Sequence, residues 1–427
     1  MAHNETQELP LRRLEGIPGA LKAGIGALTI LGVLLFGMAL FTDPQRAWRS
    51  YLFNWLFFTG IAQGAVILSA VVMITKGLWS RPLRRFALSW GAYLPIGYLL
   101  LVPIWIAAPD IFPWVEHVDP PGKAAYLNVP FMVLRQVLLV GILLALSLIL
   151  MRTALRPDVG LVREGADGKL RALYDRITRN WRGQETEETI AAHRLTRLGP
   201  AIAIAFAFAW SVLAWDLVMS LENHWFSTMI GPYVFMGAFL TGVATTAITT
   251  VVYARRAGFG DYIAPNHFHD IGKLTFGFCV FFTYLYFSQF IVIWYGQLSV
   301  ELAFFNHRYA PPFRIISQLA FACVFVLPFF GLLGVTPKQR PGVLATFAAI
   351  VLLGIWLDRY FLIYPSFYHG QESLPLGWQE IGPALLFAGL LLTCHTWFAQ
   401  RFPMMQVWQP PGEVELEGVE VEVRQTV

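Results

Sequence analysis

The sequence predicts an all-α polytopic membrane protein with ten transmembrane helices, and three observations predict it. Of the 427 residues, 56% are hydrophobic and only 14% are charged, with a mean hydropathy of +0.55; a soluble domain carries about a quarter charged residues. Apolar runs of about 20 residues recur along the chain, each long enough to cross a roughly 30 Å hydrocarbon core. The ten-residue alternation expected of transmembrane barrel strands is not seen.

The spans follow in order, with boundaries good to a few residues. A segment at 1–17 precedes them. Spans one and two (18–40 and 51–75) are parted by Arg46 and Arg49, and span two is followed by Lys76, Arg81, Arg84 and Arg85. Span three (86–108) contains Pro95 and Pro103, which should break it. Span four (127–152) follows Trp114 and Lys123, and completes the first membrane region, 18–152. A long loop, 153–196, expected on the cytoplasmic side, separates it from the second region, 197–400. Span five (197–219) is followed by Trp225, span six (231–254) stops at Arg255 and Arg256, and span seven (271–294) stops at Trp294. Span eight (312–334) is interrupted by Pro328 and is parted from span nine (342–363) by Lys338 and Arg340. Span ten (380–400) starts after Trp378 and leads into an acidic tail, 401–427.

Charge sets the expected orientation. Most of the 31 Lys and Arg residues fall before span one or after spans two, four, six, eight and ten. Only Arg46, Arg49, Lys123, Arg308 and Arg314 fall on the other side. The positive-inside rule then makes both termini cytoplasmic, with tryptophans at the outer interface. The opening residues show no short apolar core followed by a small-residue cleavage site, so no cleavable signal peptide is expected.

Within 153–196, Leu170, Leu173, Ile177 and Trp181 recur at helical spacing between arginines. That reads as an amphipathic helix lying on the membrane surface or against a partner. The tail alternates acid and apolar residues from Glu413 to Val423; dense glutamate favours disorder over a strand donated to a partner's sheet. The three cysteines, Cys279, Cys323 and Cys394, all lie in apolar spans and no two are close in sequence. Haem attachment through Cys-x-x-Cys-His and an iron–sulfur ligand set are therefore excluded, and small buried hydrophobes are the ordinary reading. Bis-histidine haem would need His395 to face His267 or His269 at matched depth, and the match is loose.

The candidate functional residues are ionisable groups in or near apolar spans, which are costly in hydrocarbon. His267-Phe-His-Asp-Ile-Gly-Lys273 heads span seven. At 100° per residue, His269, Asp270, Lys273, Tyr284, Ser288 and Tyr295 share one direction, and Lys273 to Tyr284 is about 16 Å of rise. A proton could travel such a line, with His267 at its start and Glu301 at its outer end. A plain interfacial cap explains the first four polar residues equally well. A second group comprises Asp216, Arg135, Asp358 and Arg359, all in the outer third by this topology and able to pair as a buried ion network. Asp216 stands out because no basic residue neighbours it in sequence. Glu222 and His224 read as solvated loop residues.

These residues carry a resemblance. The run from His267 to Phe278, continued by Phe287-Ser-Gln-Phe-Ile-Val-Ile-Trp-Tyr295, resembles NrfD-like (polysulfide-reductase-type) membrane subunits. So does Asp216-Leu-Val-Met-Ser-Leu-Glu-Asn-His-Trp-Phe-Ser-Thr-Met229. The pattern is most similar to the second such subunit, the F subunit, of bacterial alternative complex III, a quinol:electron acceptor oxidoreductase. The resemblance covers essentially all ten spans. It implies two four-helix bundles, spans two to five and six to nine, with spans one and ten peripheral. It implies no cofactor bound by this chain; haem c, iron–sulfur clusters and quinol belong to partner subunits, among them a sister NrfD-like subunit. It places the chain in a bacterial inner membrane, with a part in assembly and proton translocation. Two departures matter. Where the sister subunit has Gly-Ile-x-His, this chain has Gly60-Ile-Ala-Gln63, and glutamine is a poor proton acceptor. Where the F pattern has Ala-Asn-Ile-Pro-Glu-Glu-Thr, this chain reads Gly296-Gln-Leu-Ser-Val-Glu301-Leu.

Two other functions compete. The chain could bind quinol itself, through Asn54, Gln63, Tyr93 and Tyr126 in the first bundle. It could be a secondary transporter, which should show matched discontinuous helices in two halves.

Overall fold

A computed structural model describes residues 12–408 apart from 15 and 76; the side chains of 78 and 300 are not described. Most of the N-terminal segment, Lys76 and the alternating acidic stretch of the tail lie outside the described residues. Within them the chain is helical, with no strand. Ten helices are long and apolar enough to cross a membrane, and the chain is a multi-pass membrane protein.

The membrane helices are α1 (Gly19–Thr42), α2 (Pro44–Ile74), α3 (Arg81–Ile106), α4 (Val129–Val162), α6 (Gln184–Leu217), α7 (Ile230–Arg256), α8 (Pro265–Gly296), α10 (Arg314–Gly331), α11 (Pro341–Ile363) and α12 (Trp378–Arg401). Two shorter helices, α5 (Gly168–Ile177) and α9 (Ser299–Tyr309), lie between spans. Short connections make successive spans antiparallel. Both described chain ends meet on one face, where Leu14 N donates to Ala399 O and Met404 N to Arg12 O. This is called the terminal face below.

Contacts close two rings. Helices α2, α3, α4 and α6 pack as one four-helix bundle, and α7, α8, α10 and α11 as another. Helices α1 and α12 pair with each other, and α12 rests on α2. The two-bundle architecture with peripheral first and last spans is thus present. The bundles join along α2 and α7, where small residues let two backbones touch. A Cβ on Gly64 would lie 2.0 Å from Ala238 O, and one on Gly242 would lie 2.2 Å from Ala65 N. Lipid offers no hydrophobic drive between helices, so such close contact supplies the dispersion that holds them.

Proline breaks α3 and α10 as expected. Pro95 and Pro103 each open a new helical piece, and Pro328 follows a π-helical segment at Ala322–Val326. The segment 153–196 is mostly helical, which corrects the expected loop. Helix α4 runs ten residues past the expected end of its span, to Val162, and α6 begins at Gln184. Arg156 ties the two extensions by a bidentate pair to Glu187, at 2.6 and 2.7 Å. The expected amphipathic helix is α5. It packs on this chain, where the buried Tyr174 hydroxyl donates to Arg401 O. Burial pushes that hydroxyl's pKa up.

Candidate functional site

Five acidic side chains are buried among the described residues: Asp158, Glu187, Asp216, Asp358 and Glu380. Glu187 is held by Arg156 as described, and hydrogen bonds separate the other four into two kinds. An ionised carboxylate accepts through about four lone-pair sites. In an apolar interior, unused capacity is costly or reserved for something else.

Asp216, near the end of α6, is fully used. Arg135 of α4 donates from Nε to both carboxylate oxygens (3.0 and 2.9 Å) and from Nη2 to Oδ1 (2.6 Å). Gln136 Nε2 donates at 3.0 Å and the Tyr126 hydroxyl at 2.9 Å. The Arg135 guanidinium also lies 3.8 Å over the Tyr126 ring. Burial, with the Asp216 charge beside it, pushes the Tyr126 hydroxyl's pKa up. Glu380 is saturated in the same way. It accepts from Arg46 at 2.7 and 2.9 Å, from the Tyr364 hydroxyl at 2.7 Å and from Gly377 N at 2.6 Å. It locks α12 to α2 and α11 on the face opposite the chain ends. Asp158 locks the terminal face. It accepts from Arg85, from Val407 N at 3.1 Å and from Trp408 N at 3.2 Å. These three are structural clasps.

Asp358, on α11 in the second bundle, is different. It is 4% exposed. It accepts one short hydrogen bond from the Tyr233 hydroxyl, and a long one, 3.4 Å, from Arg359 Nη1. Arg359 spends its other terminal nitrogen on Val234 O at 2.9 Å. The remaining face of Asp358 borders a cavity of about 560 Å³ between α7, α8, α10 and α11. Its walls are aromatic, including Phe282, Phe290, Phe325 and Phe361, and Ser317 and Gln318 add polar atoms. Tyr284, Phe287 and Phe321 line it while standing exposed on the flank of the bundle, so the cavity opens sideways.

Polar groups continue from the cavity toward the opposite face. Tyr286 and Tyr309 also line the cavity and share a short hydroxyl–hydroxyl bond. The Tyr286 ring lies 5.8 Å from that of Tyr233. Next to Tyr309 on α9, the buried Arg308 donates to Glu222 (3.3 Å), Leu362 O (2.7 Å) and Ser366 (2.8 Å). Burial pulls the pKa of Arg308 down against the attraction of Glu222, and pushes that of Tyr309 up. His307 Nδ1 lies 3.5 Å from Glu222, and its ring stacks on His369 at 3.9 Å. Glu222 is therefore an ion-pair partner under α9, not a solvated loop residue. His224 is exposed, 3.3 Å from Asp119.

The four residues expected to form one ion network form two separate pairs, Arg135 with Asp216 and Asp358 with Arg359, in different bundles. The polar line along α8 is not brought into the interior. Tyr284 is 60% and Tyr295 77% exposed, and Tyr284 reaches only the rim of the cavity. Asp270 and Lys273 pair with each other at 2.6 Å. His267 Nδ1 accepts from Ala264 N at 2.9 Å as a helix cap. The Ser288 hydroxyl donates to Tyr284 O within its own helix. His269 and Glu301 sit half-buried at the two ends of this region.

Of the quinol candidates of the first bundle, Asn54, Gln63 and Tyr93 are buried and Tyr126 half-buried, and most are committed. Tyr98 donates to Gln63 at 2.9 Å, and Gln63 donates to Ser147 at 3.3 Å. Asn54 bonds Ser50 O, Glu380 O and the Trp356 indole. Tyr126 is spent on Asp216, and Tyr93 is enclosed. His395 is bracketed by the Ser89 hydroxyl at 3.0 Å and the Tyr253 hydroxyl at 3.1 Å, and stacks on Trp90. Both its nitrogens are engaged, and it does not meet His267 or His269. No group of three or more potential metal ligands occurs among the described residues.

Sequence reasoning missed Tyr233, Tyr286, Tyr309 and Arg308. Only the Tyr286-Phe287-Ser288 run inside a span hinted at them. No protein-family model matches this chain, and no curated protein matches it.

Proposed function

We propose that this chain is an integral membrane subunit of a respiratory quinol:electron acceptor oxidoreductase of the alternative complex III kind, and that it handles protons at Asp358. The assignment to that complex is supported by the motifs around Asp216 and His267. In this reading the haems, the iron–sulfur clusters and a sister NrfD-like subunit are partners. The terminal face is cytoplasmic, as the Lys and Arg distribution requires, and the membrane is the bacterial inner one.

One observation carries the proton role: among the five buried acids of the described residues, Asp358 alone lines the cavity, and it accepts only one short and one long hydrogen bond. A group that exchanges a proton needs a route and a vacant acceptor site. Asp216 offers neither. Beyond Asp358, Tyr233, the Tyr286–Tyr309 pair and the Arg308–Glu222 pair supply polar stations toward the outward face. The chain would also brace the assembly, through the clasps at Asp216, Glu380 and Asp158.

The test uses the intact complex in proteoliposomes. Asp358→Asn is expected to keep electron transfer to the acceptor within about twofold of wild type and to lower the proton yield. An unchanged yield in an assembled complex would end the proton assignment.

A further inference from the structure

We infer that the stacked imidazoles of His307 and His369 are an acid-sensitive latch on the outward face, which holds the last turn of α9 in place at neutral pH and loosens it when both rings are protonated. The inference rests on the reading above for which face is outward and for what the latch controls.

The latch joins two elements that are far apart in the chain. His307 lies in the last turn of α9, and His369 just beyond the short helix Pro365–Tyr368 that follows α11. Their rings are nearly parallel, with centroids 3.9 Å apart. His369 Nδ1 is 3.1 Å from Pro365 O. A carbonyl can only accept, so this nitrogen carries the hydrogen, and Nε2 is left to take a proton. His307 Nδ1 is buried, makes no hydrogen bond, and lies 3.5 Å from Glu222 Oε1. His369 is exposed, so protons from solvent reach the stack.

Charge decides what acid does. Imidazole is the side chain that ordinarily titrates between about pH 5 and 8. Facing the stack are Glu222 and Arg308, which already pair with each other. The neighbouring groups are engaged elsewhere: Tyr309 bonds Tyr286, Tyr368 accepts from Arg49 at 3.2 Å, and His224 faces Asp119. Glu372, further along, is exposed. The single carboxylate of Glu222 can answer one added proton, at His307. A second, at His369, sets two like charges 3.9 Å apart beside a buried guanidinium, and repulsion parts the rings.

The rest of α9 has its own hold, since the Phe304 ring stacks on Trp225 at 3.7 Å. Acid therefore acts on the last turn. That turn carries Tyr309, whose bond to Tyr286 joins the cavity to the Arg308–Glu222 pair. Protons that accumulate on the outward face thus interrupt the polar series leading to it, and their passage limits itself.

The experiment follows amide hydrogen exchange of the full chain in nanodiscs of neutral phospholipid. It compares about pH 7.5 with about pH 5, which brackets imidazole titration, with labelling times scaled for the intrinsic rate of exchange. Protection in peptides from the last turn of α9 is expected to fall about tenfold at the lower pH, the effect of one unanswered like-charge contact. His369→Phe keeps a flat ring on His307 but takes no proton, and its protection should stay within about twofold across the same range. If that variant does not fold, His369→Gln replaces it. Protection in the wild-type chain that is independent of pH overturns the inference. So does a fall in the His369 variant equal to that of wild type. The assay needs no turnover and no proton gradient. A negative result here leaves the proton yield of Asp358→Asn to be judged separately, and an unchanged yield there leaves the acid response of α9 as measured.

Discussion

Gly237 of α7 faces the Arg359 guanidinium so closely that a Cβ there would lie 2.1 Å from Nη2. The glycine is what allows a buried arginine to lie across α7, reach Val234 O and stay beside Asp358. The conformational cost of glycine within a helix, about 1 kcal/mol, is accepted at a place where any side chain would displace the cation. Gly237→Ala is expected to lower the thermal midpoint of the purified protein by the equivalent of about 1–3 kcal/mol, the usual cost of overpacking. Arg359→Lys on that background, with its slimmer end, should restore part of the loss. Strict additivity of the two changes would show that the contact is not the cause.

Asp216 and Arg135 form a saturated clasp, so their loss should be felt in stability first. Arg135→Ala leaves a buried carboxylate without its cation, a change worth about 3–5 kcal/mol. The variant should unfold at markedly lower temperature in detergent, or fail to accumulate. Asp216→Asn keeps the shape and should cost less. A proton-transfer phenotype at Asp216 with normal stability would reverse the roles assigned to the two aspartates.

The contact between the bundles predicts a sharp contrast between glycines. Gly64→Leu would drive a side chain into the α7 backbone at Ala238, whereas Gly141 of α4 has open space around it. Size-exclusion chromatography of the first variant should show aggregated or absent protein, and of Gly141→Leu a normal monodisperse peak. Equal behaviour of the two would mean that α2 and α7 do not touch as described.

The stretch after α12 is a clasp of its own. Trp408 donates its indole N–H to Ala154 O at 3.0 Å and is buried against the terminal face. Trp408→Ala should destabilise by about 3–5 kcal/mol, as other buried tryptophan truncations do. A thermal melt of this variant beside the wild-type protein checks this.

Much of this was legible from residues alone. Ten spans follow from apolar length, and that Asp216, Arg135, Asp358 and Arg359 need partners follows from the cost of leaving a charge alone in hydrocarbon, but not that they form two pairs in different bundles. What was not legible depended on packing direction. A helical wheel put Tyr284, Ser288 and Tyr295 on one face of α8 but could not tell inside from outside. Lipid-facing and core-facing surfaces are equally apolar, so the usual amphipathic cue is missing. The cavity is a product of four helices and a π-helical segment in α10, with no local signature. Arg308, Glu380 and Asp158 lie near span ends, where charges are ordinary, and only their partners far along the chain mark them as buried. The long segment after span four was misread because its polar residues continue α4 and α6 as helix beyond the apolar part.

If Asp358, and not Asp216, is the membrane carboxylate open to chemistry, dicyclohexylcarbodiimide will find it: this apolar reagent partitions into bilayers and adds covalently to protonated carboxyl groups that it can reach. Membranes holding the full chain would be treated with it, and the modified residue located by mass spectrometry of peptides. Label is expected on Asp358, lost in Ala320→Phe on the cavity wall, with Asp216, Glu380 and Asp158 unlabelled. Label on Asp216 with Asp358 untouched would reverse the roles of the two aspartates.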